Sequence, residues 1–304
     1  MTSTKRKGAD GEPDGNEVGK KLKKKEDDND SHPPTLQSEA GRFQGDDDAT
    51  MLLLFHDLYY SINTFAGKYF IGSPYVQPRK SKDKDFFGSL TSNYGTYLTS
   101  KTEKAKETII QAVIWNKLMD PLLKQPTKAF LQIPEALIKN NLSDDCEEFY
   151  SWRTLTANML SKKYKGRTSW VNGGPRRQEW VKEMATLLSD LSVVNQRARL
   201  QGSLEEIADL AIKLATAMAC SRAGWVCTMK DPRIQRLNGF RITTDRMEDI
   251  DLWDEDEGHG KSMTVDLVKS PMLLKFGNSN GEKYDQCLVA RLAEVVVVRR
   301  KTTD

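Results

Sequence analysis

Apolar positions fall into two regimes along the chain. Through Asp48 large apolar residues are almost absent, with Val18, Leu22, Leu36 and Phe43 standing nearly alone. From "DDDATMLLLFHDLYYSINTFAGKYF" onward they recur at helical spacing. Leu54, Leu58, Ile62, Phe65 and Tyr69 follow at intervals of four and three, which places them on one face of an amphipathic helix. Asp46, Asp47 and Asp48 stand just ahead, where carboxylates favour a helix N-terminus through capping and the macrodipole. Pro74 and Pro78 then break the pattern and predict a loop.

Further helical blocks follow. "DFFGSLTSNYGTYL" is a weak one, because Gly88 and Gly95 lower its propensity. In "SKTEKAKETIIQAVIWNKLMDPLLKQ", Ile109, Val113, Leu118 and Leu122 with Trp115 form a wide apolar face, and Pro121 kinks or ends the helix. "SDDCEEFYSWRTLTANMLSKKYKG" runs from acids to bases, the charge order a helix dipole favours, with Phe149, Trp152, Leu155 and Met159 as its predicted buried stripe. "GGPRRQEWVKEMATLLSDLSVV" sets Pro175 at a first helical position and Trp180, Met184, Leu187 and Leu191 on one face. "GSLEEIADLAIKLATAMACSRAGW" carries a capping-box pattern, Ser203 with Glu206. Its five alanines between 208 and 219 predict close packing in the middle of a bundle.

After Gly224 the pattern changes. An irregular stretch ends in the acidic run "DIDLWDEDEGHG"; then "MTVDLVKSPMLLKFG" and "CLVARLAEVVVV" predict two strands joined through Gly277, Asn278, Asn280 and Gly281. The expected fold is mainly α: a multi-helix bundle with a small C-terminal β-hairpin, preceded by a disordered N-terminal tail. Its parts are a tail over 1–48 and a domain over 49–304, with helices to about 230 and the acidic loop and hairpin beyond.

Composition sharpens this division. The tail cannot bury enough apolar surface to offset the entropy of ordering it. Across all 304 residues, 46 basic side chains face 43 acidic ones, a net charge of +3, so the whole is no polycation and nucleic-acid binding would need a clustered basic face. No apolar run approaches the roughly 20 residues that span a bilayer, and the N-terminus lacks the apolar stretch of a secretory signal. Cys146, Cys220, Cys227 and Cys287 are widely spaced, and no C-x-x-C pair occurs, which predicts reduced thiols in an intracellular protein with no metal and no cofactor.

Two stretches carry a resemblance. The opening "LFHDLYYSINTFAGKYF" and the closing "SPMLLKFGNSNGEKYDQCLVARLAEVVVV" resemble a group of uncharacterised helical proteins of filamentous fungi. The resemblance runs from about residue 51 onward. It implies a helical fold, brings no activity and transfers no functional residue.

Candidate chemistry is concentrated in the tail. Lys5, Arg6 and Lys7 form a small basic cluster, and Lys20, Lys21, Lys23, Lys24 and Lys25 a larger one about a dozen residues on, the layout of a bipartite nuclear-import signal. An extended chain can lay lysine stems along a receptor groove and pair each ammonium with an acceptor. Glu26, Asp27, Asp28 and Asp30 adjoin the larger cluster and oppose phosphate, so an import receptor is a better partner for it than nucleic acid.

Elsewhere, Arg167, Arg176 and Arg177 surround a turn leading into a helix and form a candidate anion-binding patch. Met184, Leu187, Leu191 and Val193 match the loose spacing of an export signal, but the same residues are what a buried helix face requires, and core is the expected role. Ser73-Pro74 and Ser270-Pro271 match proline-directed phosphorylation. The three histidines, His32, His56 and His259, lie apart, and no motif for nucleophilic catalysis or metal binding occurs. The expectation is a non-enzymatic protein of the nucleus, or otherwise the cytoplasm, acting through protein contacts. The alternative is a nucleic-acid-associated protein using the arginines near 167–177.

Overall fold

The first helix starts where the acids place it. In the computed structural model α1 (Asp47–Phe70) buries Met51, Phe55, Leu58, Ile62, Phe65 and Tyr69, with Leu54 half-buried beside them. The structure describes residues 47–71, 78, 80–100, 102–123, 146–163, 173–189, 191–192, 197–250 and 262–300. All of them lie in the part of the chain from Glu39 to Asp304. The tail with its basic clusters lies outside the described residues, as does the acidic run beyond residue 250.

The weak helical block is two short helices, α2 (Ser81–Leu90) and α3 (Tyr94–Thr99). What separates them is a buried carboxylate. Thr91 Oγ1 and Asn93 Nδ2 donate to Asp266 Oδ1 at 3.0 and 2.9 Å, and the Tyr97 hydroxyl donates to Oδ2 at 2.8 Å. A continuous helix would not aim all three donors at one carboxylate.

α4 (Glu103–Leu118) is buried from Thr108 through Trp115, the signature of a helix covered on all sides. Trp115 stacks on Phe55 of α1 with ring centroids 5.5 Å apart. Pro121 does not stop it; α4 runs into a π-helical turn, Met119–Leu123, that contains the proline and buries Met119, Leu122 and Leu123.

α5 (Cys146–Lys163), α6 (Gly173–Ser189) and α7 (Arg197–Cys220) complete seven α-helices among the described residues. α7 packs against α1, α5, α6 and the π turn. Ala208, Ala211, Ala215 and Ala219 are fully buried on it, so small side chains permit the close approach that their number predicts. Its start differs from expectation. α7 begins at Arg197, and Ser203 is an interior residue whose Oγ meets the Tyr69 hydroxyl at 3.1 Å instead of capping.

The C-terminal part corrects the expected hairpin. Seven strands are described: β1 (Gly224–Thr228), β2 (Phe240–Arg241), β3 (Met247–Asp249), β4 (Ser262–Val268), β5 (Met272–Phe276), β6 (Cys287–Arg291) and β7 (Ala293–Arg300). They form a three-stranded sheet in the order β1-β5-β6 and a four-stranded sheet in the order β2-β4-β7-β3. The two stretches read as single strands do pair antiparallel, β5 with β6 and β4 with β7, but each is divided between the sheets, at Ser270–Pro271 and at Leu292. The added strands have a second consequence. β3 runs parallel to β7, so the larger sheet is mixed. Helix also ends earlier than residue 230, since Gly224–Thr228 is strand.

Besides Asp266, two ion pairs tie α1 to the sheet region. Lys269 lies 2.7 Å from Glu294, which also accepts from the Tyr59 hydroxyl of α1 at 2.6 Å. Lys275 lies 2.6 Å from Asp48 at the start of α1.

Candidate functional site

α5 turns two polar residues, Arg153 and Thr154, inward. Phe149, Arg153, Thr154 and Ala157 are its buried residues, whereas Trp152, Leu155 and Met159 are 45%, 53% and 63% exposed. The predicted stripe is therefore correct only at Phe149; its other three members face outward.

The cause lies at the C-terminal end of α7, whose last carbonyls lack partners within the helix. The Arg153 guanidinium donates to the carbonyls of Ser221 and Ala223. Thr154 Oγ1 donates to Ser221 O at 2.8 Å and Asn158 Nδ2 to Cys220 O at 3.3 Å. A cation there also meets the negative end of the α7 dipole. These groups decide which face of α5 turns inward, and they sit opposite the apolar stripe.

Arg153 forms no ion pair with a carboxylate among the described residues. Burial pulls its pKa down to about 10, which leaves it charged at neutral pH. Its guanidinium lies 4.5 Å from the Tyr150 ring centroid, and Tyr150 stacks on Tyr284 at 4.4 Å with planes 10° apart. The Tyr284 hydroxyl donates to Arg222 O, and burial pushes its pKa up to about 12. Gly224 makes room for this stack, since a Cβ there would stand 2.7 Å from the Tyr150 hydroxyl.

A cleft of about 670 Å³ opens between α2, the end of α4 and the segment after β1. Met119, Met229 and Leu237 supply its apolar lining, and Asp120, Lys230 and Arg236 its charges. Asn238 closes one side by donating to Leu90 O at 2.8 Å. Cys227 in its wall is fully buried and burial pushes its thiol pKa up, so it stays protonated and is a poor nucleophile. No histidine lines the cleft. Among the described residues no group of three or more His, Cys, Asp or Glu is placed to hold a metal ion.

The Tyr59–Lys269–Glu294 cluster is a tie between α1 and β7. Burial, then the hydrogen bond to Glu294, raises the Tyr59 pKa, which keeps the phenol protonated. Lys269 is also raised: burial opposes its charge, but Glu294 outweighs burial.

Of the candidate anion-binding arginines, Arg177 is engaged by carboxylates. Arg177 donates from both Nε and Nη2 to the Asp209 carboxylate, at 2.6 and 3.0 Å, with Glu205 at 3.7 Å. The Asp209 hydrogen bond raises its pKa against the opposing effect of burial. That fork joins α6 to α7. Arg176 is half-buried beside it, and Arg167 lies outside the described residues, as do Lys5, Arg6, Lys7, Lys20, Lys21, Lys23, Lys24 and Lys25.

Other motifs find plain structural places. Met184 and Leu191 are buried and Leu187 packs against the core, so these three belong to the inner face of α6 and the turn after it, while Val193 lies outside the described residues. Ser270 is 2% exposed at the corner between β4 and β5, closed to a kinase in the folded chain. His56 stacks on Tyr60, with ring centroids 6.4 Å apart, on the outer side of α1.

No family model matches the chain, and no match was found among curated proteins or solved structures. No described helix is long and apolar enough to cross a membrane.

Proposed function

We propose that this is a non-enzymatic protein that works by contacting other protein, and that the outer face of α5 is the contacting surface. One observation carries the reading: Trp152, Leu155 and Met159 stand exposed on a helix whose buried face holds Arg153 and Thr154. Exposing a tryptophan, a leucine and a methionine in one stripe forgoes several kcal/mol of burial, roughly 1.5–3 kcal/mol for each large side chain. Contiguous exposed apolar residues mark contact sites, and Trp and Met are enriched there.

The basic clusters of the tail add an address. An import receptor would take Lys20, Lys21, Lys23, Lys24 and Lys25, with Lys5, Arg6 and Lys7 as the minor cluster. The nucleic-acid alternative is less well supported, because Asp209 occupies the Arg177 fork.

A photo-crosslinking side chain at position 155 tests the contact. It should give discrete protein adducts in cells, and the same group at the exposed polar position Lys213 should not. Equal labelling at both positions would refute the reading. Replacing the five lysines of the larger cluster with alanine in a fluorescent fusion should abolish nuclear accumulation; an unchanged distribution would remove the address.

A further inference from the structure

The outward stripe of α5 is longer than its apolar centre. Glu148, Trp152, Leu155, Met159 and Lys162 succeed one another at intervals of four, three, four and three, and all five are exposed, with the two charged residues at the margins of the apolar three. Those intervals are the spacing of a coiled-coil seam, in which one helix presents a narrow apolar line to another. At 100° per residue the five positions fall within about 80° of arc. The buried residues Arg153 and Ala157 lie across the helix axis from them, and Phe149 flanks the line beside Trp152, with ring centroids 6.2 Å apart. A line this narrow matches one partner helix better than a broad flat surface.

The ends of the line carry opposite charge, Glu148 toward the N-terminus and Lys162 toward the C-terminus, both exposed. Leu155 lies seven positions from each. A second α5 laid antiparallel across Leu155 therefore sets Glu148 of each copy against Lys162 of the other, and pairs Trp152 with the neighbourhood of Met159. Parallel pairing would set Glu148 against Glu148 and Lys162 against Lys162. Antiparallel packing also opposes the two helix dipoles favourably.

We infer that α5 pairs with the α5 of a second copy of this chain, antiparallel about a two-fold axis through Leu155. The inference rests on the protein-contact reading above and names its partner. A two-fold interface is self-complementary, so one stripe supplies both sides. An 18-residue helix is about 27 Å long, and a single helix pair buries less than the standard interface of about 1,600 Å². The association is accordingly weak and concentration-dependent.

Sedimentation of the full chain with charge-reversed variants tests it. Glu148→Lys and Lys162→Glu each replace two attractive contacts per dimer with two repulsive ones. Each alone should weaken the dimer about tenfold, the scale set by exposed ion pairs counted twice. The double variant Glu148→Lys, Lys162→Glu should restore wild-type association. Both positions are exposed, and circular dichroism would verify that the fold is kept. A wild-type chain that stays monomeric at every concentration overturns the inference, as does a double variant no better than its singles. If the chain is monomeric while position 155 still crosslinks to a different protein, the second copy is excluded and the protein-contact reading stands.

Discussion

Arg153 shows how one residue sets the orientation of a helix. Its guanidinium holds carbonyls after the end of α7, and α5 turns to suit it. Arg153→Ala leaves buried acceptors without their cation and opens a cavity, so a urea titration should show a loss of roughly 3 kcal/mol. Arg176→Ala, on the neighbouring helix, should stay within about 0.5 kcal/mol. Tyr284 offers a second test by absorbance. With its pKa raised to about 12, it should be among the last phenols to ionise on alkaline titration, and Tyr284→Phe should remove that late step. Its folded pKa, above the ordinary value of 10, contributes stability that is full below pH 10 and is lost between 10 and 12. Arg153 acts oppositely, because its folded pKa is depressed, and its burial penalty is relieved as pH rises from 10 toward 12.5. Arg153 and Asp266 are inconspicuous in the sequence. Arg153 interrupts an apolar run, and Asp266 sits in "TVDLV" as if on the outer side of a strand, yet both are buried because distant donors and acceptors converge on them.

At the scale of elements, periodicity locates helices well and their faces less well. α1, α4, α6 and α7 turn inward the positions that their spacing predicts, because no polar contact on them opposes the apolar stripe. α5 departs because hydrogen bonds to the end of α7 and the residues after it outweigh its stripe, and α7 starts at Arg197, so Ser203 is interior and meets Tyr69 from the side. The strands were legible as two extended stretches. Their division between two sheets was not, since it depends on the short partners β1, β2 and β3, each of five residues or fewer. Glycines separate what an element needs from what it tolerates. Gly88 in α2 has open space around a Cβ, so Gly88→Ala should stabilise by about 0.5–1 kcal/mol. Gly277 begins the loop between β5 and β6 with φ +75°, and a Cβ there would stand 2.7 Å from Glu282 O. Gly277→Ala should cost about 1–3 kcal/mol. Thermal melts of the two variants should move in opposite directions.

Across the whole folded part, buried polar ties bind helices and sheets into one cooperative body. Asp266 is held by Thr91, Asn93 and Tyr97, Glu294 by Tyr59 and Lys269, and Lys275 lies against Asp48. Helical signal at far-UV wavelengths and the hydrogen-exchange protection of strand amides in β5 and β7 should therefore be lost in one coincident transition. Separate transitions would show that the sheets unfold apart from the helices. The candidate site belongs to this scale too. Its residues were visible in the sequence as a stripe, but the sign of the stripe, inward or outward, required the other helix.

The most direct test of the account is sedimentation of the full chain beside Leu155→Glu over one dilution series. The account predicts a wild-type chain that associates as concentration rises and a variant that keeps its helical signal and stays monomeric. Association that survives Leu155→Glu unchanged would contradict it, because the face at its centre would then not be the interface.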